Sequence, residues 1–148
     1  MKEFQFRLQK VLDTCKLKEN LIEVKLAELE KLAETQRMNL SLIEQRRGEI
    51  LTERWERRNN HNFLRVEEEM LYEKCLEDLE IRVEKMKLYI KQLEEQIRRT
   101  REELVAAAIE RKVVEKVREK KHEEFTLEVS RNDQKALDEI AVQHYLRR

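Results

Sequence analysis

The sequence predicts an all-α protein in which two long helices fold back on each other as an antiparallel coiled-coil hairpin, with a short helical extension at the C-terminus as an option. Three observations predict it. The chain of 148 residues has no proline and a single glycine, Gly48, so little punctuates the backbone. Charged residues make up 43% of it, against roughly 25% in a typical globular domain, and the good helix formers Leu, Glu, Lys, Arg and Gln dominate. Apolar residues recur at alternating spacings of four and three, which is the seam of a left-handed coiled coil. Such a chain buries a narrow stripe instead of a broad core, and one elongated domain over residues 1–148 is expected.

The first helix is expected over about 4–58. From Leu8 the four-three spacing selects Leu8, Leu12, Cys15, Glu19, Ile22, Leu26, Leu29, Ala33, Gln36, Leu40, Ile43, Arg47 and Ile50, ten of them apolar in a chain that is 40% apolar. A polar seam residue such as Gln36 lowers stability but fixes register. The second helix is expected over about 62–128. Its seam runs through Tyr72, Leu76, Leu79, Val83, Met86, Ile90, Leu93, Ile97, Thr100, Leu104 and Ala107, all apolar but Thr100.

The two seams are out of phase by one residue, and the break between them holds Asn59-Asn60-His61-Asn62, a cluster of turn formers. The tip is expected at about 59–62. Arg57 and Arg58 before it suit a helix C-terminus, and Glu67, Glu68 and Glu69 after it suit a helix start. Asn60 or Asn62 is the expected N-cap. With the turn near 60, residues whose numbers total about 121 face each other over helices of roughly 80–100 Å. Cys15 then falls opposite Ala106 to Ala108, and Arg47 beside Glu73 and Lys74. Cys15 and Cys75 lie too far apart in that arrangement for an intramolecular disulfide. Trp55 is expected to pack on Leu51 or Leu64 and close the turn, the alternative being an exposed anchor for a partner.

Beyond Ala107 the second seam drifts, with Arg111, Arg118 and Lys121 at its positions and Ile109, Val113 and Val117 forming another stripe at spacing four. Ser130-Arg131-Asn132-Asp133 matches a capping box, so residues 130–148 are read as a separate C-terminal helical segment carrying Leu137, Ile140, Ala141, Tyr145 and Leu146.

Several functions find no support. Basic and acidic residues are equal at 32 each, so no bulk positive charge marks a nucleic-acid binder. One glycine allows no phosphate-binding loop. Three scattered histidines and two cysteines give no zinc-ligand spacing. No triad and no deep pocket are suggested, so no catalytic, cofactor or metal residues are expected and the chain is read as no enzyme. No apolar run approaches the roughly 18 residues of a membrane span, and the N-terminus lacks the apolar core of a signal peptide. A cytoplasmic protein that binds other proteins is the expectation, with no nucleic acid, no membrane insertion and a monomer when free. The rival is a structural coiled-coil tether that dimerises with itself or another helical protein.

Three stretches resemble the FliJ family, a component of the bacterial flagellar type III export apparatus. They are Phe4-Gln5-Phe6-Arg7-Leu8-Gln9-Lys10-Val11-Leu12-Asp13, the Leu71-Tyr72, Leu76, Leu79, Ile81 entry to the second helix, and the ending from Leu137 to Arg148. The resemblance implies an antiparallel coiled coil like the central stalk of rotary ATP synthases. It implies binding to the ring of the flagellar export ATPase, to the membrane-embedded export-gate protein and to export chaperones. It implies a cytoplasmic location, peripheral to the inner membrane at the flagellar base. Carried onto this chain, the ATPase-facing residues are Phe4, Phe6, Leu8, Ile140, Tyr145 and Leu146. The gate-facing residues are Cys75, Leu79, Arg82 and Met86, of which Leu79 and Met86 also belong to the seam.

Overall fold

The computed structural model describes residues 3–60 and 65–147. Two helices account for nearly all of them: α1, Gln9–Asn60, and α2, Val66–Leu146. They pack against each other antiparallel. Contacts group the chain into two units, Met1–Ile22 with Glu103–Arg148, and Glu23–Glu102.

In the Glu23–Glu102 unit, protected side chains recur at the four-three spacing on both helices. Ala33, Leu93 and Ile97 form a buried cluster with Leu26 and Leu29 packed on it. Ile50, Val83 and Ile90 are buried along the same stripe. Thr100 is the one buried polar residue there, and its hydroxyl donates to the Gln96 carbonyl at 2.8 Å. Gln36 and Arg47 sit half-buried in the seam. A ladder of ion pairs flanks it: Glu30 with Arg101 at 2.8 Å, Arg37 with Glu94 at 3.0 Å, and Glu44 with Lys87 at 4.0 Å. Each rung is one heptad from the next on both helices, as interhelical charge pairs in a coiled coil are.

The end of this unit nearest the turn is held by arginines of α1 on glutamates of α2. Arg54 donates twice to Glu69, at 2.8 and 3.0 Å, and Arg58 joins the same carboxylate. Arg57 reaches Glu68 at 3.2 Å. The two guanidinium groups on Glu69, Arg58 first, hold its carboxyl down at about 2.

In the other unit Leu12 and Ala107 are buried. Glu19 and Arg111 form an ion pair in the seam position where both helices would otherwise carry apolar residues, and Arg111 also reaches Glu115 at 2.8 Å. Residues 3–8 are not helical. The Phe4 ring meets His122 edge-on at 4.9 Å and Phe125 at 5.6 Å between centroids. The Gln9 amide donates to the Phe6 carbonyl at 3.1 Å as α1 begins.

Several expectations are corrected. α1 starts at Gln9 instead of 4, because the Phe4–Phe6 segment lies on α2 rather than coiling. It runs through Asn59 to Asn60 instead of stopping at 58, and α2 starts at Val66 instead of 62. His61, Asn62 and Leu64, and with them the proposed Asn62 cap, lie outside the described residues.

The later turn moves the register. Glu30 faces Arg101, so their numbers total 131 instead of about 121. Arg47 therefore reaches Glu80 at 4.0 Å, not Glu73 or Lys74, and its Nε is buried without a hydrogen-bond partner. Cys15, one turn before Glu19, falls beyond Arg111 and not beside Ala106 to Ala108.

Helix α2 passes through Ser130 without a break and takes in the segment read as separate. The Ser–Asp spacing is a local start signal, and with no glycine or proline nearby nothing ends the preceding helix. The seam continues through Arg111 and half-buried Val114, while Ile109, Val113 and Val117 face solvent. Trp55 does not close the turn by burial; it is 66% exposed.

Candidate partner-binding faces

The N-terminal segment and α2 build a groove. Phe4, Phe6 and Leu8 line it from one side and Val117, Lys121 and Phe125 from the other, around about 790 Å³. Phe4 and Phe6 are half-buried and Leu8 is largely open. The structure thus brings three of the six expected ATPase-facing residues into one largely apolar concavity, which Glu3, Arg7 and Lys121 also line. Lys121 also pairs with Glu124 at 2.8 Å, which holds the Glu124 carboxyl below its ordinary range.

The other three, Ile140, Tyr145 and Leu146, lie on α2 beyond the groove. Phe125 is the last half-buried position of the helix, and every residue from Thr126 to Arg147 is exposed. At about 100° per residue, Leu137, Ile140, Ala141 and Tyr145 share one stripe, and Leu146 points the opposite way. Tyr145 is 81% exposed. This stretch is an amphipathic helix with nothing of its own chain against the apolar side.

Phe125 and Val117 were missed as site residues. The signal for Phe125 was present: the seam spacing continued from Ala107 reaches 111, 114, 118, 121 and 125, and Phe125 is an isolated aromatic in a run of charges.

The four expected gate-facing residues divide by role. Leu79 and Met86 are half-buried in the seam, so packing within the hairpin already explains them. Cys75 and Arg82 are exposed, seven residues apart on one flank. Cys75 borders a second, smaller groove of about 250 Å³, lined also by Ile50, Leu71 and Tyr72 and by Arg46, Glu53, Arg57 and Glu68. Burial raises the Tyr72 phenol, with Arg57 opposing and Glu53 reinforcing the shift. Both cysteines are free thiols.

Among the described residues no group of His, Cys, Asp and Glu is arranged to hold a metal ion. No helix among them is long and apolar enough to cross a membrane. These residues present two grooves and one exposed amphipathic helix end.

No curated protein and no solved structure matches the chain. A family model described as the flagellar FliJ protein does match, over residues 4–148, and on that coverage the chain belongs to the FliJ family, components of the flagellar protein export apparatus.

Proposed function

We propose that the chain is a non-enzymatic stalk of the export apparatus that binds the export ATPase ring with the groove at Phe4, Phe6 and Leu8 and the helix end bearing Ile140, Tyr145 and Leu146. The observation that carries this reading is the uncovered stretch of α2 after Phe125, where large apolar side chains face water beside the groove-bearing end of the same unit. Apolar and aromatic groups left in that state are the usual anchors of a protein interface. On this reading the stalk promotes assembly and hydrolysis of the ring.

The exposed flank of Cys75 and Arg82, with Leu79 and Met86 behind it in the seam, is the face for the export gate. Export chaperones are further partners. The protein works in the cytoplasm against the inner membrane at the flagellar base.

The test is the hydrolysis rate of the cognate export ATPase with and without the stoichiometric chain, and with a variant carrying Tyr145→Ala and Leu146→Ala. Both side chains are exposed, so the variant folds as the parent does. Stimulation by the parent that the variant loses supports the reading. Absence of both stimulation and co-elution rejects it.

A further inference from the structure

Gly48 is the single glycine of the chain and lies inside α1. Its φ is not positive, and a Cβ added there would meet nothing within 4 Å. Neither backbone conformation nor packing within the fold requires glycine at this point, although glycine weakens a helix interior. Leu51 and Trp55 follow three and seven residues later and share its face. Leu51 is 46% exposed, and Trp55, the sole tryptophan, more so.

This face lies on the flank marked by the Glu44–Lys87 rung, since Gly48 is one turn and Leu51 two turns on from Glu44. On α2 the same flank carries Glu80 and Glu73, seven and fourteen residues before Lys87, with Glu84 and Glu77 one turn along from each. All four are exposed. Among the described residues only Glu80 of the four has an ion pair, to Arg47 at 4.0 Å. Glutamates repeated at spacings of three and four repel along a helix.

A bare backbone, two uncovered apolar side chains and a row of carboxylates, three of them without an ion pair among the described residues, therefore adjoin on one flank, whose own cations Lys87 and Arg58 are taken up by Glu44 and Glu69. We propose that this flank docks a cationic amphipathic helix of another protein. Its backbone comes close over Gly48, its apolar side chains rest on Leu51 and Trp55, and its lysines or arginines meet the glutamate row. Charge complementarity selects a cationic helix over an acidic or neutral one. The surface is separate from the opposite flank, where Cys75 shares a groove with Arg46 and Glu53 and Arg82 follows seven residues on.

Trp55 reports directly on the site. The full chain would be titrated with a tryptophan-free synthetic amphipathic helix of leucine and lysine, following Trp55 emission, with the matching leucine–glutamate peptide as control. A saturable blue shift with the lysine peptide alone is expected. Gly48→Leu fills the depression with a better helix former, so it folds while affinity drops about tenfold. The triple variant Glu73→Gln, Glu77→Gln, Glu84→Gln binds more weakly and with less dependence on salt. Unchanged Trp55 emission, equal binding of the glutamate peptide, or undiminished affinity in Gly48→Leu would each overturn the proposal. None of these outcomes bears on stimulation of the ATPase, which tests the other end of α1 and α2.

Discussion

At the scale of single residues the seam decides most of what a substitution does. Leu12 is 1% exposed, so Leu12→Ala is expected to cost about 2–5 kcal/mol through lost transfer energy and the cavity left behind. Ala33, fully buried in a cluster with Leu93 and Ile97, works in the other direction: Ala33→Leu overpacks and should cost about 1–3 kcal/mol. Gly48→Ala meets open space and should add about 0.5–1 kcal/mol. Denaturant unfolding checks all three. These residue roles were legible in the sequence, because the four-three spacing marks Leu12 and Ala33 as inward whatever faces them.

Glu69 was not legible as a bridge, since its partners depend on where the turn falls. Its carboxyl sits at about 2 in the folded chain against an ordinary 4.5, so the native state binds protons less readily than the unfolded one. The stabilisation it brings is complete above about pH 4.5 and is lost as pH falls toward 2. In an acid titration the parent should lose stability through that window, and Glu69→Gln should start lower and show a flatter profile. An identical slope in the two proteins would count against the Arg54–Glu69–Arg58 bridge.

At the scale of elements the ladder of ion pairs does more for register than for stability. Its rungs are half-exposed, and such pairs are worth about 0–1 kcal/mol. The signs alternate, however: Glu30, Arg37 and Glu44 on α1 oppose Arg101, Glu94 and Lys87 on α2. A slip of one heptad in one direction sets Glu30 against Glu94 and Arg37 against Lys87. A slip in the other sets Arg37 against Arg101 and Glu44 against Glu94. Either slip keeps the apolar seam but matches like with like, so the charges discriminate where the seam does not.

The reversal Arg37→Glu with Glu94→Arg should therefore leave the fold little changed in thermal unfolding. Arg37→Glu alone should be the less stable variant, and the difference should shrink in high salt. The pattern itself was readable, but its alignment was not. A hairpin of uniformly good helix formers carries no glycine or proline to fix the turn, and moving that turn by a few residues moves every facing pair. The same uniformity misled at Ser130, where a start signal without a stop before it leaves one helix intact.

At the scale of the whole molecule the fold class followed from periodicity, since two helical seams have few ways to be covered. The candidate faces were legible only in part. Phe4, Phe6 and Leu8 were found through the resemblance at the N-terminus, but their meeting with Val117 and Phe125 depends on a register that the sequence alone misplaced. Leu79 and Met86 illustrate the opposite difficulty, because seam spacing and a partner-facing role select the same positions.

The longer reach of α2 also has a thermodynamic consequence. The segment after Phe125 is exposed throughout its described residues, and a lone helix of that size is marginal in water. Its ordering is then part of any association it makes. Exchanging Asn132 for alanine, on the side of the helix away from the Leu137–Tyr145 stripe, should slow amide exchange in this stretch. If this stretch binds the export ATPase as proposed, the substitution should also tighten that binding without adding a contact, by lowering the entropy lost when the partner closes on the helix. On the proposed reading, affinity is thus adjustable from a side chain that never meets the partner, and the stability of the free helix becomes a dial.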